Sequence, residues 1–527
     1  MENSLVTKNK AIDICSKAAV WIAAALLTII SVGAIIETSH IDPVDPFAEL
    51  ITFDPDFILS NIALICLTLL GILAMMRKNI SIGKLDTRFV VGVMLLFSTV
   101  LSLAWVNLVQ SEPSGDAFTI LNTAKDAAKG TYGSLLSSGE YYGNHSFYQF
   151  YPQELGYVLF AEILYRIFGT NSSALLLQIP NIIALDAIYL GLVMLTSRMT
   201  GRKSVTNLTA IFLMGCLQPM YITTFTYTYL LALAFAVWAV YNAVRFMQDG
   251  KILNAVGGIL TAAAAYSLRT EYMIILIAAA VALVLHTIDK KKFLSLAMAA
   301  LMILAPIGAQ KLIVSSYASR GNATLDTHIT HKQMLYAGVN ESSMAPGWYN
   351  GLALGSLLSA NMDMKAADDT ASAAIDTRMK VLSSTGQTFN FFKNKLLSQV
   401  NEPTFQSIWL SQVKGHNLKS GEQLSKIAES TYTGGIRILL DNWFHYFDMM
   451  IYVFSAAGLI FLIFRKKLTV AQIILPLSFF GGVLYHMLYE AKSQYMLAYF
   501  VLLIPIAAYG AIECGRALKK ISEPLFK

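Results

Sequence analysis

Apolar runs of about 17 to 25 residues recur along the whole chain, and they constrain its fold more than any other feature of the sequence. A helix needs about 20 apolar residues to cross a hydrocarbon core of about 30 Å, and in lipid every backbone polar group must be bonded internally. About twelve such runs occur, at 17-37, 57-76, 89-109, 172-197, 205-225, 227-247, 252-268, 271-288, 293-314, 443-464, 470-488 and 494-514. Apolar residues make up 55% of the 527 positions and charged residues 14%, which excludes an ordinary soluble globular chain. The expected fold class is an all-α polytopic membrane protein.

Charge settles the topology. The net charge of +6 does not mark a nucleic-acid binder, because the Lys and Arg residues lie in short loops between apolar runs and not on one stripe. Lys8, Lys10 and Lys17 precede "AAVWIAAALLTIISVGAII", which is too long for a signal-peptide core and reads as an uncleaved first span with its N-terminus inside. One further run, "YPQELGYVLFAEILYRIFG" at 151-169, is short and carries Glu154, Glu162 and Arg166. If it crossed the bilayer, "SRMTGRKS", "RFMQDGK", "HTIDKKKF" and "FRKK" would all face outward, against the positive-inside rule. As an amphipathic juxtamembrane helix in the outer interface, it leaves those loops, "RKNISIGKLDTR" and "RALKK" inside. Both termini are then cytoplasmic.

The expected domains are two N-terminal spans in 1-88, a core in 89-314 with a first outer loop at 110-170, a large outer loop or small domain at 315-442, and C-terminal spans in 443-527. The 315-442 segment is too long for a simple connector. No internal repeat or low-complexity segment is visible. Cys66 and Cys216 fall inside apolar runs and Cys15 and Cys514 at inner ends, so neither an outer disulfide framework nor a Cys/His zinc spacing is expected.

With this sidedness, Asp116, Glu140, His145, Glu154, Arg269, Glu271, His486, Glu490 and Lys492 all gather near the outer face. Ionisable groups at a membrane usually have a partner or a purpose. Asp116, in "SEPSGDAFTIL", reads either as a surface acid starting a helix or as a general base held at the bilayer. Arg269 is either a snorkelling helix-end arginine or a clamp on a phosphate. His486 and Glu490 are four apart and are expected on one helical face, with Glu490 and Lys492 capping the turn before the last span; a structural ion pair is the alternative.

The acid past a span, the "AKDAAKG" helix at 124-130 and the aromatic stretch into Tyr151, Pro152, Gln153, Ile167, Phe168 and Gly169 resemble the first outer loop of GT-C glycosyltransferases. The likeness is to the branch containing protein O-mannosyltransferases and the lipid A aminoarabinose transferase. The C-terminal "YHMLYEAKSQYMLAYFVLLIPIAAYG" is similar to the closing segment of bacterial members. The resemblance spans roughly 85-290 and 470-512, with "NEPTFQSIW" at 401-409 reminiscent of the family. Two departures stand out: Ala117 replaces the second acid many relatives carry, and two extra spans precede the core.

The resemblance implies a GT-C fold and transfer of a sugar from a polyprenyl-phosphate carrier to an extracytoplasmic acceptor, with inversion. Asp116 matches the catalytic acid position. Arg269, with Lys492, His486 and Glu490, would face the donor phosphate, while Glu154, Glu271, Tyr151 and Tyr495 would orient substrate or hold a divalent metal, the one cofactor left open. The expected partners are the lipid-linked donor, membrane lipids and a glycan, lipid or protein acceptor, and the expected location is a bacterial plasma membrane. A lipid-linked-sugar flippase or a polysaccharide ligase is the rival reading.

Overall fold

The computed structural model describes the chain except residues 1-8, 42-48, 79-80, 110, 112, 114, 138-141, 412-424, 467 and 523-527, so Lys8 and Glu140 lie outside the described residues. The described chain is nearly all helical. Nine of its helices are long and apolar enough to cross a membrane, and up to eleven spans result when each of two bent pairs is counted as one. Another of the apolar runs forms the 17-residue helix Ile252–Leu268. Lipid-facing character is plain in Ile58–Arg77, where Asn61 is the buried residue while Leu59, Leu67 and Leu70 are each more than half exposed. The protein is a multi-pass membrane protein.

Cross-links between distant segments tie the basic loops into one end of the bundle. The Asn9 backbone N–H donates to Asp289 Oδ1 (2.8 Å), the Leu468 N–H to Asp13 Oδ1 (3.1 Å), and Arg202 pairs with Glu513. Two apolar helix pairs are bent at short breaks, and buried polar groups meet the freed backbone. Lys203–Gly215 and Gln218–Thr224 bend by 48°; the Tyr189 hydroxyl donates to the Cys216 carbonyl in the break (2.8 Å), and Gln218 Nε2 ties the second half to the Pro403 carbonyl (3.1 Å) and Asp448 Oδ1 (2.9 Å). Ser493–Val501 and Ile504–Ser522 bend by 55°, with Ser455 Oγ donating to the Leu503 carbonyl at 3.4 Å.

The 151-169 run forms Leu155–Phe168, a 14-residue helix about 21 Å long, too short to cross. Its charges are tethers. Glu162 accepts from Arg166 Nε (2.9 Å), from Arg320 Nη1 (2.8 Å) and Nη2 (3.1 Å), and from the Tyr317 hydroxyl. Burial works to raise the Glu162 pKa, but these donors outweigh it and hold the carboxylate below its usual range. Gly156 admits no side chain, since a Cβ there would fall 1.5 Å from the Ser267 carbonyl oxygen. This close approach sets the helix against the end of Ile252–Leu268, beside Arg269.

The 315-442 segment is mostly helical and packs on the bundle end. Trp348 is fully buried and donates through Nε1 to Ser398 Oγ (3.0 Å). The helix expected at 443-464 begins at Gly435, because Arg437 and Asp441 pair one turn apart at 2.8 Å and carry the helix into a polar setting. The connection between the first two spans departs from the all-α expectation. It contains an antiparallel strand pair, β1 (Glu37–Ile41) and β2 (Ile51–Pro55), in register from Glu37 opposite Pro55 to Ile41 opposite Ile51. This ribbon is stitched to the 315-442 segment by the Ser39 N–H to the Asn401 carbonyl (3.2 Å) and the Ile51 N–H to the Met344 carbonyl (3.0 Å).

Candidate active site

Three remote segments supply the centre of the site. Gly115, left-handed at φ +57°, turns the chain into Gly115–Lys129 and puts Asp116 exposed in its first turn. The Pro152–Glu154 turn carries Glu154 inward, where its Oε2 is sealed from solvent with no hydrogen-bond partner among the described residues. Burial pushes the Glu154 pKa up to about 7, while Arg269 and the Tyr227 hydroxyl oppose the rise and the charges of Asp116 and Glu271 add to it. Asp116, Glu154, Arg269 and Glu271 therefore share one electrostatic neighbourhood.

Arg269 sits between Ile252–Leu268 and the next span, held on several sides. Its Nε donates to Glu271 Oε1 at 2.5 Å and its Nη1 to Thr228 Oγ1 at 3.1 Å. The guanidinium lies 3.8 Å from the Tyr229 ring centroid and 5.4 Å from that of Tyr495. An arginine fixed in this way presents its charge with little further loss of side-chain freedom.

The 486-495 turn forms the opposite wall. Its helix ends at Leu488, so His486 and Glu490 do not share a helical face as the spacing predicts. The His486 Nδ1–H instead donates to the Glu490 carbonyl at 2.9 Å, which fixes the tautomer and leaves buried Nε2 as a lone-pair acceptor without a partner among the described residues. The ring stacks on Tyr495 at 5.1 Å, and the Tyr495 hydroxyl donates to Glu490 Oε1 at 2.9 Å. Burial raises the Glu490 pKa against the pull of Lys492. Tyr151 joins the two walls: burial raises its pKa, and the charges of Glu490 and Asp116 both act on it. Tyr151, Glu490, Tyr349 and Asn350 line a cavity of about 60 Å³.

Lys492 points elsewhere. It is 7% exposed, and its ammonium reaches Glu49 Oε1 at 3.1 Å and Oε2 at 2.9 Å, with Gln406 Nε2 also donating to Glu49 Oε1 (2.8 Å). His145 lies in the 110-170 loop against Phe150, with ring centroids 6.3 Å apart.

Several buried polar residues at this end escaped the sequence reading. Glu402 accepts from the Thr404 N–H (3.0 Å) and hydroxyl (2.6 Å), from the Gln406 N–H (2.6 Å) and from Ser493 Oγ (2.9 Å), binding "NEPTFQ" to the start of the last span. Lys395 donates to the Gly338 (2.5 Å) and Tyr489 (2.7 Å) carbonyls, and burial brings its pKa down to about 7. The 401-409 string was one available signal for Glu402; Glu49 lies in a polar linker that carries no motif. Among the described residues, no three His, Cys, Asp or Glu side chains group closely enough to hold a metal ion, so no step is assigned to one. No family model matches the chain, and no curated protein matches it.

Glu154 gives a pH test. Its folded pKa lies above the ordinary 4.5, so between about pH 4.5 and 7 the folded state binds more protons than the unfolded chain, and stability falls as pH rises through that window. Glu154→Gln is expected to remove that slope, about 3 kcal/mol across the window, and to melt higher relative to wild type at pH 7.5 than at pH 4.5. Lys395 acts with the opposite sign and above pH 7, so the window separates the two. A constant melting difference at both pH values would show that Glu154 is not held protonated.

Proposed function

We propose that this protein is a GT-C type glycosyltransferase that moves a sugar from a polyprenyl-phosphate carrier to an acceptor hydroxyl on the extracytoplasmic side, with inversion. The observation that carries the reading is Arg269 held by Glu271, Thr228 and Tyr229, with the Glu154 turn brought beside it by the close Gly156–Ser267 approach and Asp116 near enough for its charge to act on Glu154. Inverting transfer needs one base on the acceptor and one electrostatic clamp on the leaving phosphate, without a covalent nucleophile.

In this reading Asp116, exposed at the rim, takes the proton from the acceptor hydroxyl as its oxygen attacks the anomeric carbon. The bond from that carbon to the phosphate oxygen breaks, and its electron pair leaves with the polyprenyl phosphate. Arg269 stabilises the growing negative charge. Glu154, near half protonation at neutral pH and with its Oε2 sealed from solvent, sets the charge behind Asp116 and Arg269, and Tyr151 with Tyr495 shapes the pocket around the sugar. His486, stacked on Tyr495 and bonded to the Glu490 carbonyl, holds the facing wall in place. The acceptor class is a cell-surface glycan, teichoic acid, lipid or protein.

Purified protein given a radiolabelled polyprenyl-phosphate sugar and a panel of such acceptors is expected to release the label from the carrier and pass it on. Movement of intact donor across a vesicle membrane, with no release, would favour the flippase reading. For sidedness, external labelling is expected to reach a cysteine placed at 116 or 490 and not one at 290; labelling at 290 would refute the orientation.

A further inference from the structure

At the basic end of the bundle, far from the Asp116 wall, the structure holds a second cavity that the proposed activity does not use. It is a groove of about 820 Å³ between Ile58–Arg77 on one side and Lys203–Gly215, Gly435–Ile463 and Ile504–Ser522 on the other. That volume lies within the roughly 300–1,000 Å³ typical of small-ligand sites. The groove exists because Ile58–Arg77 stands off from the bundle, with a single residue, Asn61, buried along its length.

Its two ends differ in chemistry. The deep end is closed by Trp443, whose indole N–H donates to the Gly215 carbonyl (2.9 Å), and by a hydrogen bond between the Thr68 and Tyr446 hydroxyls (2.6 Å). Between the ends the walls are apolar, with Ile72, Leu208, Phe212 and Met450 among them. The open end is ringed by Lys84, Arg516 and Lys519, with the Ser81 and Ser204 side chains beside them. Glu513, next to this rim, already answers Arg202 as well as Arg516, so the rim keeps an excess of positive charge. Trp443 and Phe454, both lining the groove, lie on one helix about 16 Å apart along the axis, close to half of a hydrocarbon core of about 30 Å.

We propose that this groove is a binding site for one anionic glycerophospholipid of the leaflet at the basic end, its phosphate held by Lys84, Arg516 and Lys519 and an acyl chain lying between Ile58–Arg77 and Gly435–Ile463. Charge complementarity selects the head group, since cationic side chains at a membrane surface attract anionic lipids. Depth selects the tail: a one-leaflet slot suits an acyl chain, whereas a polyprenyl chain is longer than the slot. The site is separate from the glycosyltransferase reading and stands or falls without it.

The test uses the purified full chain in nanodiscs holding equal amounts of phosphatidylglycerol and phosphatidylcholine with identical acyl chains, read by native mass spectrometry after release into detergent. Wild type is expected to keep one phosphatidylglycerol with about tenfold preference over phosphatidylcholine, weakening as salt rises. Lys84→Gln/Arg516→Gln/Lys519→Gln is expected to lose the preference. Leu208→Trp, which fills the groove and keeps the cations, is expected to lose retention of both lipids. Lys84→Gln alone, at an exposed position, serves if the triple variant does not fold, with a partial loss expected. Equal retention of the two lipids by wild type, unchanged preference in the charge variants, or, in a parallel sample with polyprenyl phosphate added in the same amount, stronger retention of polyprenyl phosphate than of phosphatidylglycerol would each overturn the proposal.

Discussion

Asp116→Asn is expected to slow sugar transfer about 10²–10⁴-fold while leaving donor binding nearly unchanged. The substitution keeps the shape and hydrogen-bonding reach of the side chain and removes its basicity. Asp116 is exposed in the first turn of its helix, so the change should leave the protein folded. A loss of rate in a protein that still melts normally and still binds donor would therefore report chemistry. Its natural rival for the base is Glu154, whose pKa of about 7 suits proton transfer near neutrality. The two are separable by single-turnover release of labelled sugar across pH. With Asp116 as base, Glu154→Gln keeps measurable turnover and loses a pH limb near 7, whereas Asp116→Asn is slow at every pH. If Asp116→Asn turns over like wild type and Glu154→Gln is dead, the base is Glu154 and the assignment to Asp116 is wrong.

What could be read from the sequence divides along a physical line. Spans are legible because crossing a bilayer demands a contiguous apolar length, and contiguity is a property of the string. The helix at 155-168 was legible for the same reason with the sign reversed: at 14 residues it is too short to cross. Pairings that close across hundreds of residues leave no such trace. Glu162 meeting Arg320, Gln218 meeting Asp448 and Glu49 meeting Lys492 are set by the packing of helices whose order in space the string does not state. The 486-490 spacing misled for a local reason. A four-residue interval means a shared face only while the helix lasts, and Tyr489 leaves it with an extended backbone at φ −96°, ψ −169°. The β1–β2 ribbon was within reach, since "ETSHI" and "ITFDP" carry β-branched and aromatic residues in a polar linker.

The pairing of Lys492 with Glu49 leads to the second large effect. Glu49→Gln is expected to destabilise the protein by about 3–5 kcal/mol, because it leaves a buried ammonium without its counter-charge. Lys492→Met alone leaves the Glu49 carboxylate with Gln406 as a neutral donor, and should also destabilise. The double variant Glu49→Gln/Lys492→Met removes both charges together and is expected to recover most of the loss, since a buried pair often exchanges for uncharged residues at little net cost. Thermal unfolding of the four proteins in one detergent gives the cycle; equal and additive losses would mean the pair carries no coupling. The same four proteins decide what Lys492 does. Its ammonium gives bonds to both oxygens of one carboxylate, so it is already neutralised and poorly placed to answer a second anion. The folded double variant should therefore keep its sugar transfer. A double variant that folds and binds no donor would return Lys492 to the phosphate, and Glu49 would then be the group that holds it there.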